Sequence, residues 1–122
     1  MKITPLHSWD VTPKEAAEIQ RNLSRTLDLR DGLRLDNIRT VAGVDNAYSG
    51  RGRAAIAYAV VVILSFPTLE VIETRAQVQP VTFPYVPGLL SFREGPAVVA
   101  AFEQVENRPD VILFDAQGIA HP

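Results

Sequence analysis

The sequence contains no cysteine, and this absence limits the kinds of site that the chain can build. Without thiols it can form neither a disulfide framework nor a thiolate metal centre. Any bound metal must therefore be held by oxygen or imidazole ligands. Carboxylates suit hard ions such as Mg²⁺ or Mn²⁺, so acidic residues are the first candidates for a metal site.

Long apolar runs are also absent. No window approaches the roughly 20 apolar residues that a helix needs to cross a bilayer. The opening residues, MKITPLHSWD, lack the apolar stretch of a signal peptide. We therefore expect no membrane association and a cytoplasmic location.

An excess of positive charge is missing as well, because the formal net charge is −2. The chain thus lacks the bulk basic field that is typical of nucleic-acid-binding proteins. Arginines are nevertheless concentrated between residues 21 and 39. They either contact phosphates or, as is more common, form the solvated face of a surface helix and its following loop. These arginines are Arg21, Arg25, Arg30, Arg34 and Arg39.

The remaining composition is that of a folded globular protein, with 47% hydrophobic and 21% charged residues. The sequence shows no internal repeat, low-complexity tract or linker. A chain of 122 residues fits one domain. We therefore predict a single domain over residues 1–122.

The order of the helix and strand patterns predicts an α/β fold. TPKE at residues 12–15 is typical of a capped helix start, and an apolar stripe predicts a helix to about residue 29 that packs on a sheet. Three runs rich in valine and isoleucine, with short connections, predict antiparallel strands, the second buried on both faces. A proline-rich loop, a second helix with Pro96 in its first turn and a fourth strand follow. The predicted strands are residues 40–48, 54–66, 69–78 and 110–115, and the second helix is residues 92–106.

The element order β-β-β-α-β restricts the topology. A helix between two strands of one sheet makes a right-handed crossover, so the fourth strand should lie parallel to a neighbour, most simply the first. This order predicts a ribonuclease-H-like mixed sheet.

Three carboxylates could carry chemistry on this sheet. Asp45 lies at the end of the first strand, and Asp115 ends the fourth, so parallel pairing would bring both to one edge. Glu94 begins the second helix and can reach the same edge. Three such oxygen ligands could hold Mg²⁺ for phosphodiester hydrolysis. Periodicity alone does not decide this, because strand-end aspartates are commonly turn or cap residues and first-turn glutamates commonly interact with the helix dipole.

Three sequence blocks resemble the endonuclease V family. They are VAGVD at residues 41–45, FPYVPGLLSFREGP at residues 83–96 and FDAQGIAHP at residues 114–122. The resemblance implies a ribonuclease-H-like nuclease that uses Mg²⁺ or Mn²⁺, with Asp45, Glu94 and Asp115 as its metal-binding and catalytic carboxylates. It also implies recognition of hypoxanthine, the base of inosine, and cleavage of the second phosphodiester bond on the 3′ side of the lesion.

The same resemblance implies a set of substrate-binding residues. PYVP at residues 84–87 matches the family's wedge, whose aromatic ring fills the space that the flipped base leaves. The next implied contacts are the backbone of Gly88 and Leu90, which lines the base pocket, and Ala116. The family has glycine at the position of Ala116, so the added methyl group is expected either to narrow the base pocket or to block a required backbone conformation. His121 belongs to the third block, with a ligand, capping or hydrogen-bonding role. The implied substrate-binding set is Pro84, Tyr85, Val86, Pro87, Gly88, Leu90, Ala116 and His121.

The matched region corresponds to the N-terminal half of that family. We therefore expect a chain truncated after its fourth strand, with apolar sheet surface left uncovered and open to self-association. Two functions stay open: a deoxyribonuclease for deaminated purines, and a catalytically incomplete fragment that binds nucleic acid or a partner. The expected nucleic acid is inosine-containing DNA, and RNA remains an alternative because the same carboxylates would serve.

Overall fold

The computed structural model describes residues 1–30, 32–116 and 118 of the chain. Across these residues it contains two α-helices, two short 3₁₀ turns and one sheet. In chain order the elements are α1 (Pro13–Ser24), β1 (Thr40–Ser49), β2 (Ile56–Ser65), β3 (Val71–Pro80), α2 (Leu90–Glu103) and β4 (Val111–Phe114).

The sheet has the strand order β3-β2-β1-β4. Strand β2 is antiparallel to both β1 and β3, whereas β4 is parallel to β1. Val41 lies opposite Val111 and Val44 opposite Phe114. The predicted mixed sheet, with a helical crossover to a parallel fourth strand, is therefore confirmed.

Asp110 holds β4 in register with β1. Its Oδ2 atom accepts hydrogen bonds from the backbone N–H groups of Arg39, at 2.8 Å, and Thr40, at 3.0 Å. The Asp110 N–H donates in turn to the Thr40 carbonyl at 3.1 Å. Because these bonds join the starts of two parallel strands, they also determine which residues meet at the strand ends.

Helix α1 begins where the sequence predicts and ends earlier. Thr12 and Glu15 form the capping box, in which the Thr12 N–H donates to the Glu15 carboxylate at 2.7 Å. The predicted extension to residue 29 was wrong. Thr26 instead donates its hydroxyl to the Leu23 carbonyl at 2.7 Å, and Leu27 beyond it is 57% exposed. A side chain that satisfies a terminal carbonyl competes with the next helical turn, and no buried contact at Leu27 offsets that competition.

The expectation that α1 packs on the sheet was also wrong. Its buried residue Ala16 belongs to a cluster with Phe83, Leu89 and Phe92, which lie in the proline-rich loop and α2. Trp9 packs against the same cluster. Helix α1 therefore supports the loop and the start of α2.

Helix α2 starts before Phe92, so Pro96 lies inside the helix and not in its first turn. Beyond the helix, the Glu73 carboxylate of β3 accepts the N–H groups of Glu106 at 3.0 Å and Asn107 at 2.8 Å. These bonds tie the chain after α2 to the sheet. The buried residues of α2 are Phe92, Ala97, Val98, Ala101 and Phe102.

Strand β2 is central but is buried on one face only, contrary to the prediction. The apolar side chains that face α2 are at most 1% exposed, whereas Ile56, Tyr58 and Val60, which alternate with them, are 36–39% exposed. The reason is that α2 covers one face, and among the described residues no helix packs on the other. We call this second surface the open face, and its exposed apolar residues include Ile56, Tyr58, Val60, Val78 and Leu113.

Within residues 1–30, 32–116 and 118, neither helix is long and apolar enough to span a bilayer.

Candidate active site

Asp45 and Asp115 meet at one edge of the sheet. Val44 and Phe114 are the last partners in the parallel pairing, and the two aspartates follow them directly. Both side chains line a cleft of about 430 Å³ on the open face, together with Val60. The sequence-based expectation that parallel strands bring these carboxylates together is met.

Glu94 reaches this edge from α2. Its pKa is raised, first by partial burial and then by the negative charges of Asp45 and Asp115, while hydrogen bonding with Tyr48 acts in the opposite direction. The shift shows that the three carboxylates lie within electrostatic range of one another. Like charges held this close favour a counter-charge.

The three carboxylates do not converge on one point. In the part of the chain that the structure describes, no group of three acidic or histidine side chains is arranged to hold a metal ion. The Asp45 Oδ1 atom accepts the N–H of Asn46 at 2.7 Å, so this carboxylate is partly directed to its own backbone. The donor set, three oxygen ligands that repel one another, nevertheless fits a hard divalent cation.

Tyr48 and Arg93 stand beside Glu94. The Arg93 guanidinium carbon lies 5.2 Å from the centroid of the Tyr48 ring, and Arg93 Nη1 donates to the Phe83 carbonyl at 3.0 Å. The pKa of Tyr48 is raised to about 12 by burial and by the charge of Glu94, which Arg93 partly opposes. Tyr48 is thus protonated at neutral pH and can donate a hydrogen bond to Glu94.

Sequence reasoning did not identify Tyr48 or Arg93 as site residues. Tyr48 lies on the opposite face of β1 from Asp45, so strand periodicity separates it from the aspartate. Arg93 stands next to Glu94 within the second motif, and that adjacency was the available signal. Through its bond to Phe83, Arg93 connects the carboxylate site to the proline-rich loop.

The proline-rich loop presents an exposed aromatic ring on buried anchors. Tyr85 is 72% exposed, whereas Phe83 is 4% and Leu89 7% exposed. The Leu89 N–H donates to the Val86 carbonyl at 3.0 Å, which closes a turn. Gly88 in this turn has φ +81°, a conformation that L side chains rarely adopt.

The remaining implied substrate contacts are less closely grouped. Pro84 and Pro87 are exposed, and Leu90 is 48% exposed at the start of α2. Ala116 is exposed directly after Asp115. His121 lies outside the described residues. The structure therefore brings the three carboxylates to one sheet edge and places Tyr85 on the adjoining loop.

Comparison with known proteins gives consistent matches. The sequence model of the family described as Endonuclease V matches residues 21–122. The Endonuclease V of Gloeobacter violaceus is 44% identical over 117 residues, which are 96% of this chain and 47% of that protein. The chain thus spans about half the length of that relative.

Solved structures agree in fold. The crystal structure of Endonuclease V from Bacillus subtilis superimposes with a TM-score of 0.91 at 34% identity, over 99% of this chain and 52% of that chain. The Ciona intestinalis Endonuclease V, crystallised with a 24mer DNA containing an inosine followed by a ribo-adenosine, has a TM-score of 0.72 at 23% identity. It covers 84% of this chain and 46% of that one. With a matching sequence model, full-length relatives and a shared sheet, this chain belongs to the endonuclease V family.

Proposed function

We propose that this chain takes part in repair of deaminated purines, as a metal-dependent endonuclease that acts beside inosine in DNA. The observation that carries the proposal is that Asp45 and Asp115 follow the last paired residues of β1 and β4 at one sheet edge. Partial burial, and then the charges of these two aspartates, raise the pKa of Glu94 beside them. The Ciona intestinalis relative, crystallised with inosine-containing DNA, supports the substrate class. The proposed cleavage is at the second phosphodiester bond 3′ to the lesion.

Asp45, Glu94 and Asp115 would hold Mg²⁺, for which Mn²⁺ can substitute. The ion, when bound, supplies Lewis-acid activation of water and neutralises charge on the scissile phosphate. The protonated Tyr48 hydroxyl orients the Glu94 carboxylate. Because Tyr48 is also packed beside Arg93, it links this carboxylate to the loop.

The proline-rich loop would act on the base. The exposed Tyr85 ring, stiffened by Pro84 and Pro87, can stack where the lesion leaves the helix, which offsets part of the few kcal/mol that unstacking costs. Val86, Gly88, Leu90, Ala116 and His121 complete the proposed base-binding set.

A second candidate is a catalytically incomplete endonuclease V fragment that binds nucleic acid or a partner. The observation that favours it is that, over residues 1–30, 32–116 and 118, no three acidic or histidine groups converge to hold a metal. Metal and oligonucleotide binding without cleavage would distinguish this candidate from the nuclease.

The test is strand nicking of an inosine-containing oligonucleotide with Mg²⁺ or Mn²⁺, beside an inosine-free control. We expect cleavage that requires inosine and metal, is lost in Asp45→Ala and is retained in Asp36→Ala, whose carboxylate is 85% exposed and pairs with Arg34. Product length reports the bond that is cut, and an inosine-containing RNA strand reports sugar preference. Equal cleavage by Asp45→Ala and the unaltered protein would refute the proposal.

A further inference from the structure

A second cleft lies beside the candidate active site. It has a volume of about 320 Å³ and separates the β1–β2 turn from the proline-rich loop. Its walls include Arg53 of the turn, Phe83 and Tyr85 of the loop, and Arg93 of α2. None of the described residues that line it is a carboxylate, so the cleft combines two cations with an aromatic edge.

The two arginines of this cleft differ in their contacts. Arg93 already donates to the Phe83 carbonyl and lies over the Tyr48 ring. Arg53 is exposed, and among the described residues its side chain forms no salt bridge and no hydrogen bond. The Arg53 guanidinium is therefore available to an external anion.

The backbone beneath Arg53 is held in place. Residues Gly52–Ala54 form a 3₁₀ turn, and the Val81 N–H donates to the Ala55 carbonyl at 2.9 Å, which joins this turn to the start of the loop. Gly50 has φ +75°, and an added Cβ there would lie 2.5 Å from the Ala54 carbonyl oxygen. A positioned backbone reduces the entropy lost when a ligand binds.

We propose that this cleft binds a backbone phosphate of the nucleic-acid strand whose bases contact Tyr85, and that Arg53 supplies the principal charge contact. This inference rests on the proposed function, which brings a nucleic-acid strand to the loop. Guanidinium groups bind phosphate oxygens through paired hydrogen bonds, and an adjacent aromatic face stacks on a base. Arg53 is thus a positioning residue that determines where the strand lies relative to Glu94.

The experiment measures binding of the full chain to an inosine-containing oligonucleotide by fluorescence anisotropy over a range of KCl concentrations, with metal chelated to prevent cleavage. Arg53→Gln should weaken binding about tenfold, as expected for one charge-assisted contact. It should also reduce the slope of log K against log salt by about 0.7–0.9. Arg53→Lys should restore most of the slope.

Arg51→Gln is the matched control. Arg51 is exposed in the same turn and carries the same charge, but it does not line the cleft. Its replacement should leave the slope within error of the unaltered protein. Equal slopes for Arg51→Gln and Arg53→Gln, with both proteins giving the thermal melt of the unaltered chain, would overturn the inference.

Single neutral methylphosphonates placed along the strand identify the phosphate. One position should weaken binding by the unaltered protein and have no further effect on Arg53→Gln, whereas effects that add at every position would overturn the inference. Binding with this coupling but without inosine-dependent cleavage would overturn the proposed nuclease function and leave the phosphate contact standing. Inosine-dependent cleavage without this coupling between Arg53 and one phosphate would overturn the phosphate contact and leave the proposed nuclease function standing.

Discussion

Gly95 follows Glu94 in α2 and lies directly against Trp9, which makes this contact a test of how the site is supported. A Cβ added at Gly95 would lie 2.7 Å from Trp9 Cζ3 and closer still to Cη2. The Trp9 ring cannot simply withdraw, because His7 packs edge-on at 4.5 Å between centroids and Phe92 lies at 5.8 Å. His7 is itself half-buried against Trp9 and Phe92.

Gly95→Ala has two opposing effects on the free energy of unfolding. Alanine is favoured over glycine inside a helix by about 1 kcal/mol. Overpacking against the Trp9 ring, which its neighbours keep in place, lowers the free energy of unfolding by about 1–3 kcal/mol. We expect the variant to be neutral or up to about 2 kcal/mol less stable in the native background. When Trp9→Ala removes the ring, the same change should become stabilising by up to about 1 kcal/mol.

A double-mutant cycle measures this change of sign. Urea unfolding of the unaltered protein, Gly95→Ala, Trp9→Ala and the double variant should give a coupling energy of about 1–3 kcal/mol. Gly32→Ala is the control, since its added Cβ would meet nothing within 4 Å. It should show no coupling to Trp9→Ala. A Gly95 coupling below about 0.5 kcal/mol, the usual limit of additivity, would refute the packing argument.

Three further predictions follow from the loop, the β3 carboxylate and the open face. Tyr85→Ala should weaken binding of inosine-containing DNA by about 1–3 kcal/mol, the value of one base stack, without reducing metal affinity. Tyr85→Phe should retain this binding. An equal loss of DNA affinity and metal affinity in Tyr85→Ala would refute the wedge role. Hydrogen bonds from the chain after α2 lower the pKa of Glu73 from 4.5 to about 2. The contribution of Glu73 to stability is therefore complete above pH 4.5 and is lost as the pH falls toward 2. Glu73→Gln should accordingly flatten the pH dependence of the free energy of unfolding in urea over that range. An unaltered pH dependence in Glu73→Gln would contradict this account. Val78→Glu places a charge on the open face and should reduce self-association measured by sedimentation. Leu6 is 76% exposed outside this face, so Leu6→Glu should not reduce it. A monodisperse monomer for the unaltered protein would contradict the expected association.

Local signals predicted the start of α1 and the strand order better than the other helix boundaries and the packing. The capping box at Thr12 depends on residues three apart, so the sequence contains all the information that it needs. The end of α1 depends on whether Leu27 finds a partner, which no local pattern reports. Similarly, the apolar character of β2 predicted burial on both faces, but burial depends on what packs there.

The sequence by itself determined the family and the parallel placement of β4, because the residues of the three motifs and the handedness of the crossover are properties of the chain. It also singled out Asp45, Glu94 and Asp115 as the candidate carboxylates. The tertiary structure alone decided that Tyr48 and Arg93 join Glu94, that Trp9 packs on Gly95 and that Arg53 faces the loop across a cleft. These contacts join elements that are distant in sequence and lie on faces unrelated by strand or helix periodicity. Their geometry follows from how α2 and its loop pack on the sheet, so it cannot be derived from spacing along the chain.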